Sequence, residues 1–357
     1  MKVQKKLLQI KSRSICMTAN KIVIINNEKC SEKDRNIYCQ NIEIKSLAEI
    51  LKYTFDLYFI LRRGKINPIH KISSKKIYLT NSYFDLFSKL SYFFKQKKNK
   101  YLIISITPFT FFAFILISLS GKKCFLYLRS DGREEFKYIF GFGFVWIYKL
   151  MLFFMAKYCT IIAVNKLIYP KKFFLALPSQ IDKDWLKNSK RIKNKKLKLL
   201  YVGRIKVEKG VYSLLKLFNK IQKNISATLT LVGHGDELRN LNKNIKHIQP
   251  TYSKKKLIEI YDKHDIVILP SFTEGHPQVL LESLARKKPI IIFSNIAFVK
   301  KDFNNVFVSE RNQDDFNKTI TYIKKNFKLI SKDFKKNKIP TKINFKNQLI
   351  KILNQSN

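Results

Sequence analysis

Short apolar runs punctuate this chain, and the stretches between them carry apolar residues at helical spacing. The runs at 101–106 (YLIISI), 197–203 (LKLLYVG), 228–233 (TLTLVG), 266–269 (IVIL) and 289–293 (PIIIF) are too short for helices and too apolar for loops, so they read as buried strands. KIVIIN at 21–26, KIYLTN at 76–81, KCFLYL at 123–128, CTIIAV at 159–164 and FFLAL at 173–177 extend the series. Helices are predicted near 47–61, closed by RRGK at 62–65, and near 83–95, 134–157, 207–222, 257–264 and 343–354; another begins at Pro277, a residue that suits the first helical position. The polar stretch 28–41 and the charged stretch 95–100 read as loops.

Strand and helix therefore alternate, which implies an α/β fold with parallel sheets and right-handed crossovers. Ligand sites of such sheets lie beyond the carboxyl ends of the strands. Arg204, Gly233 and Glu274 each stand at a predicted strand end or just after one, so they are expected on one edge. Leu102 to Leu119 is an uncharged run of 18 residues, the nominal length of a membrane-spanning helix. Thr107-Pro108 lies inside it and disfavours helix at that point, which divides the run into strand, turn and helix.

Length and charge refine this picture. A chain of 357 residues is a natural size for two domains. KNSKRIKNKK at 187–196 is basic and lacks apolar spacing, so the expected organisation is a domain over 1–186, a linker over 187–196, a domain over 197–340 and a helical tail over 341–357. The net charge is +45, from 70 basic and 25 acidic residues. Abundant Lys, Asn, Ile and Phe point to an AT-rich coding bias, yet the resulting field attracts anionic surfaces whatever its origin. No zinc-finger, RNP or helix-turn-helix pattern is present, so a membrane surface is expected and nucleic acid is not. The five cysteines, Cys16, Cys30, Cys39, Cys124 and Cys159, form no C-x-x-C pair, which argues for reduced thiols in a cytoplasmic protein. No apolar stretch of signal length precedes Thr18, and secretion is not expected.

The chemistry concentrates in PSFTEGHPQVLLESLARKKPIIIF, residues 270–293. Glu274 falls in the loop before the Pro277 helix and Glu282 falls within that helix. Gly275 permits close approach of the backbone to a ligand, and the amides of a helix start favour an anion. Two carboxylates for hydroxyls and an amide cradle for phosphate suit a nucleotide-sugar. Upstream, Arg204 and Lys209 flank a turn after a strand, where two cations hold a diphosphate and stabilise its charge as it leaves.

These segments resemble the GT4 family of retaining glycosyltransferases. Glu274, Gly275, His276, Pro277, Leu281 and Glu282 follow its E-x7-E signature; Gly203, Arg204, Lys209 and Gly210 follow its G-R-x4-K-G; LTLVGHGDELRNL at 229–241 is similar to its strand, glycine turn and helix. The likeness covers about 197–295 well and the first 180 residues poorly. It implies a GT-B fold, two Rossmann-like domains with a cleft between them. It implies that Arg204 and Lys209 hold the donor diphosphate and that Glu274 orients the donor sugar. It further implies that Glu282 binds ribose hydroxyls and that Gly233, Gly275, His276 and Pro277 shape the donor loops. The expected activity is retaining hexosyl transfer from a nucleotide-diphosphate-sugar to a saccharide or lipid-linked acceptor in cell-surface polysaccharide synthesis. The alternative is a degenerate GT-B protein that binds sugar-nucleotide without turnover.

Three departures bear on that choice. No glycine pair near the N-terminus matches the one that faces the donor phosphates in many relatives. The strand end Arg129-Ser130-Asp131-Gly132 lacks the histidine that many carry, and Lys287 replaces the usual glycine before Pro289. No cofactor is expected and no metal, because no D-x-D pair lies in the matched region; Asp182-Lys183-Asp184 has that spacing outside it. The apolar helix near 134–157, with Trp146 and Tyr148, and the basic clusters at 62–65 and 95–100 predict a peripheral protein at the inner face of the cell membrane.

Overall fold

The computed structural model describes residues 20–355 except 67–68, 75, 97–98, 188–195, 223 and 240. The chain divides into two compact units, Met1–Ala176 with Gln348–Asn357, and Leu177–Asn347. The division precedes the expected boundary at 186 because Ile181 and Trp185 are buried in the core of the second unit. Nearly all of the expected linker at 187–196 lies outside the described residues. The expected separate tail is a helix, Lys342–Asn354, whose last residues count with the first unit.

In the first unit the strands are β1 (Lys21–Lys33), β2 (Asn36–Cys39), β3 (Asp56–Arg63), β4 (His70–Lys71), β5 (Ile77–Thr80), β6 (Lys100–Ile104), β7 (Cys124–Leu128), β8 (Cys159–Ala163) and β9 (Phe174–Leu175). The parallel order is β5-β3-β1-β6-β7-β8-β9, and β2 and β4 hook antiparallel onto the end of β1. Ile22 to Ile25 and Tyr101 to Ile104 are buried at the centre, where a strand covered on both faces reads as a continuous apolar run. The helices are α1 (Ile42–Leu51), α2 (Tyr83–Phe94), α3 (Pro108–Leu119), α4 (Gly132–Phe140) and α5 (Val145–Tyr158).

Three expectations change here and one holds. The polar stretch 28–41 is a hairpin extension of β1 rather than a loop. Asp34 and Arg35 both have positive φ (49° and 57°), the two-residue turn whose twist suits antiparallel strands, and Cys30 pairs with Cys39 beneath it. The expected helix near 47–61 ends at Leu51, and the apolar residues from Leu57 to Leu61 form β3, parallel to β1. The expected helix near 134–157 breaks at Gly141, whose φ is 95°, and resumes through a 3-10 turn at Phe142–Phe144. The 102–119 run divides as expected into β6, a turn and the 12-residue α3, and no helix of the described residues is long and apolar enough to cross a membrane.

The second unit has strands β10 (Leu197–Val202), β11 (Ala227–Val232), β12 (Ile245–Ile248), β13 (Ile266–Leu269), β14 (Ile290–Phe293) and β15 (Val306–Ser309), all parallel, in the order β12-β11-β10-β13-β14-β15. Its helices are α6 (Lys183–Leu186), α7 (Val211–Ile221), α8 (Lys254–Asp262), α9 (Gln278–Ala285), α10 (Gln313–Lys325), α11 (Phe327–Asp333) and α12 (Lys342–Asn354). Both sheets thus follow the doubly wound order 3-2-1-4-5-6, which reverses direction between β1 and β6 in the first unit and between β10 and β13 in the second. Among the described residues no helix follows the glycine turn at 233–235, and the next element is β12.

Four cysteines fall among the described residues and all are free. Cys124 and Cys159 are cross-strand neighbours with sulfurs 2.7 Å apart, and that contact together with burial pushes the Cys159 thiol up.

Candidate functional site

The second sheet reverses direction between β10 and β13, and the loops beyond those strands meet there. The first runs from Gly203 through a 3-10 turn, Val207–Lys209, to Gly210 at the start of α7. The second runs from Pro270 to Pro277 at the start of α9. Gly210 has φ 68°, and a Cβ there would stand 1.9 Å from the carbonyl oxygen of Pro270, so only glycine lets the loops close together. The Phe272 N–H then donates to the Glu208 carbonyl at 3.1 Å.

This packing brings Lys209 onto Glu274, with Nζ 2.7 Å from Oε1. Ser271 donates its hydroxyl to the same oxygen at 2.7 Å, so the carboxylate is held from two sides. Arg204 lies apart from this pair. Its guanidinium is largely exposed and its ion pair is with Glu208 at 3.4 Å, while its carbonyl accepts from the buried Tyr201 hydroxyl at 2.6 Å. Gly233 follows β11 directly, beside Gly203, where a Cβ would meet the Gly203 carbonyl oxygen at 1.8 Å; the glycine is required by backbone packing. Gly275 and His276 are half-buried in the loop, and Pro277 is buried at its end.

Glu282 is buried one turn into α9, and Tyr261 donates its hydroxyl to Oε2 at 2.7 Å. Burial raises its carboxyl pKa to about 7, against the lowering effect of the Tyr261 bond. Tyr261 is fixed edge-on to Trp185, ring centres 5.6 Å apart. A buried carboxylate with one oxygen already occupied has its other oxygen for a ligand.

The two helix starts at this reversal have a further property. Neither Gly210 at α7 nor Pro277 at α9 supplies a side-chain cap, whereas Ser253 and Asn312 cap α8 and α10 with their own oxygens. Uncapped first-turn amides carry partial positive charge and suit an anion.

Sequence reasoning missed Arg311, just past β15. Its guanidinium donates to the Pro270 carbonyl at 2.6 Å, the Ser271 carbonyl at 3.0 Å, the Ser213 hydroxyl at 2.9 Å and Asn295 Oδ1 at 2.8 Å. It also lies over the Phe272 ring at 4.0 Å. One side chain thus clamps the loop that carries Glu274 to α7. The signal that could have found it is an arginine two residues beyond an apolar strand, but β15 was itself unrecognised. Asp236 was missed likewise; it takes Lys206 at 2.6 Å and the Tyr212 hydroxyl at 2.9 Å, bracing the Arg204 loop.

Asp182 and Asp184 both pair with Lys254, the Asp182 contact at 2.7 Å. Hydrogen bonds from Lys187 and Lys254 hold the Asp184 carboxyl down at about 2. In the first unit, Asp131 caps α4 and binds Arg133 at 2.6 Å, the work of a turn residue.

Residues 182–339, within the second unit, match the family model for Glycosyl transferases group 1. Among curated proteins, an uncharacterized glycosyltransferase of Methanocaldococcus jannaschii, MJ1607, is 27% identical over 128 residues, 32% of this chain and 33% of that protein. The putative teichuronic acid biosynthesis glycosyltransferase TuaC of Bacillus subtilis is 29% identical over 92 residues, 26% of this chain and 23% of that protein. The matched stretches span a third or less of those relatives' lengths. Among solved structures, sucrose-phosphate synthase from Thermosynechococcus elongatus superposes with TM-score 0.69 at 12% identity over 94% of this chain and 98% of that one. HepE of Anabaena, in complex with UDP and glucose, gives 0.65 at 11% identity over 94% and 99%. The fold is GT-B, with two Rossmann-like domains.

Proposed function

We propose that this chain is a retaining glycosyltransferase of the GT4 type, moving a hexosyl group from a nucleotide-diphosphate-sugar to a hydroxyl of a saccharide or lipid-linked acceptor. The observation that carries the reading is the meeting of Lys209, Glu274 and two uncapped helix starts at the reversal point of the second sheet, with Glu282 buried behind them. The helix starts receive the diphosphate. Arg204 and Lys209 complete its neutralisation, and Glu282 accepts from the ribose hydroxyls through the oxygen that Tyr261 leaves. Glu274, held by Ser271, accepts from hydroxyls of the donor sugar. In the transfer the bond from the anomeric carbon to the phosphate oxygen breaks. The acceptor oxygen bonds to the same face of that carbon, and its proton passes to the departing phosphate.

Because cations and amides carry the neutralising charge, the reaction is proposed to run without a metal or other cofactor. The setting proposed is the cytoplasmic face of the cell membrane, in the assembly of surface polysaccharide. The test is release of nucleoside diphosphate from a panel of UDP-, GDP- and ADP-sugars, with and without EDTA. One donor should be turned over, and chelation should not stop it. Tight binding of a donor with no turnover, with or without saccharide acceptors, would select the non-catalytic binding reading. Loss of activity in EDTA, restored by Mg²⁺ or Mn²⁺, would turn attention to Asp182 and Asp184.

A further inference from the structure

The sequence from 136 to 181 contains no Asp or Glu and six lysines. Its helical part covers its inner face with Tyr148, Met151 and Met155, all buried. The outer face of α5 carries Trp146, Leu150, Phe153 and Phe154, 62%, 46%, 63% and 42% exposed. These residues recur at i, i+4, i+7 and i+8 and so share one stripe. The break at Gly141 adds Phe142 and Phe144, 78% and 48% exposed, just before that stripe begins. Isolated exposed apolar residues are ordinary on a protein surface, but a contiguous aromatic face is not. Lys149 and Lys157 lie exposed on the same side of α5, and Lys137 stands over the Phe142 ring at 5.7 Å. α3 packs beside this helix, its buried Phe114 meeting the exposed Tyr158 with ring centres 6.3 Å apart.

We propose that Phe140–Tyr158 is a docking face for an anionic lipid bilayer, with Phe142, Phe144, Trp146, Leu150 and Phe153 in the interfacial layer and the lysines among the headgroups. The inference gives the peripheral location proposed above its contact surface, and it does not depend on the transfer chemistry. Charge selects the occupant. From Phe140 to Tyr158 the face carries Lys149 and Lys157 and no carboxylate, so it repels a second copy of itself and attracts phosphate headgroups. Length selects the mode. The 14 residues of α5 rise about 21 Å, short of the roughly 30 Å hydrocarbon layer, so the segment lies in the interface rather than across it.

Tryptophan emission reads the proposal directly, because the chain has two tryptophans and Trp185 is buried in the second unit. With vesicles of phosphatidylglycerol and phosphatidylcholine at low salt, Trp146 emission should shift to the blue and be quenched by brominated acyl chains. Phosphatidylcholine alone should give little of either, and high salt should reverse both. Lys149→Gln with Lys157→Gln should lower the partition coefficient roughly twenty-five-fold, at about fivefold for each lysine. Phe142→Ser with Phe153→Ser should abolish quenching while lipid-free donor turnover is kept, since these side chains are exposed and outside the second unit. An unshifted Trp146 with anionic vesicles would overturn the proposal, as would equal partitioning to neutral ones. So would a lipid-free dimer that shields Trp146 from an aqueous quencher. Failure of the transferase reading would appear separately, as absent donor turnover with intact vesicle binding.

Discussion

The two units share one strand order and differ in how their crossover helices begin. In the first unit, both helices flanking the reversal point are closed by their own side chains. Asn41 accepts from the Glu43 amide at the start of α1, and Thr107 and Thr110 form a reciprocal capping box at the start of α3. In the second unit, the equivalent helices α7 and α9 begin at Gly210 and Pro277 with no side-chain cap. The comparison is close, since α3 and α9 each follow a central strand; the proline of α3, Pro108, stands inside its Thr107 cap, whereas in α9 Pro277 occupies the cap position itself and the helix starts at Gln278. A capped start has spent its amides internally, whereas an uncapped one has them for a ligand. Topology therefore supplies two places for an anion and end chemistry selects one.

Several changes would break or sharpen this contrast. The largest effect is expected from Lys209→Ala, which removes a cation from the selected site and leaves Glu274 half-buried without its partner. Donor turnover should fall about 100-fold, or ~3 kcal/mol, with the melting temperature nearly unchanged. Turnover at the wild-type level would end the assignment of Lys209 to the diphosphate.

A pH titration of donor binding comes next. The free Glu282 carboxyl is raised to about 7 by burial, so much of it is protonated below that pH. Ribose hydroxyls that donate to the carboxylate favour its charged form, so binding releases a proton. Affinity should rise roughly tenfold from about pH 6 to about pH 8 and then level off, and Glu282→Gln should flatten that rise. A wild-type profile as flat as that of the glutamine variant would mean that Glu282 meets no ribose.

Exchanging the caps tests the contrast itself. Pro277→Ser gives α9 a side-chain oxygen for its own amides and should weaken donor binding severalfold, while adding about 1 kcal/mol to stability. Thr107→Ala removes the cap of α3 and should cost about 1 kcal/mol in urea unfolding, with no change in donor affinity. Equal effects of the two on affinity would show that the uncapped start is not what selects the site.

The smallest effect concerns Lys287, which sits at φ 55° just beyond α9, where its N–H and that of Lys288 close the helix onto Leu284 and Ser283. This is a left-handed helix stop that glycine adopts without strain. Lys287→Gly should stabilise the protein by about 1 kcal/mol in thermal unfolding. A lower melting temperature would show that the lysine side chain contributes more than its backbone strain costs.

The second unit was far more legible in the sequence than the first, for physical reasons. Strands buried on both faces, such as Ile266–Leu269 and Ile290–Phe293, read as uninterrupted apolar runs. The edge strand Ile245–Ile248 places Lys246 and His247 side by side between its two isoleucines and carries too few apolar positions to announce itself. In the first unit, the apolar residues of β3 fall within the helix expected near 47–61, because a short apolar run does not distinguish helix from strand. The hairpin at 28–39 has the polarity of a loop because its outer positions, such as Glu32 and Lys33, face water. At the site, Glu274, Glu282, Arg204 and Lys209 could be named from spacing and resemblance. Which of them touch could not, since the Lys209–Glu274 pair depends on Gly210 fitting against Pro270. Arg311 was invisible for the same reason: its partners come from three separate loops and helix starts.

Amide hydrogen exchange with and without nucleoside diphosphate tests the central claim most directly, because it reads the helix-start amides themselves. Binding at the uncapped reversal point predicts added protection over 203–213 and 270–282, with 26–43 and 105–112 unchanged. Protection confined to 26–43 and 105–112 would place the anion on the capped side and contradict the claim.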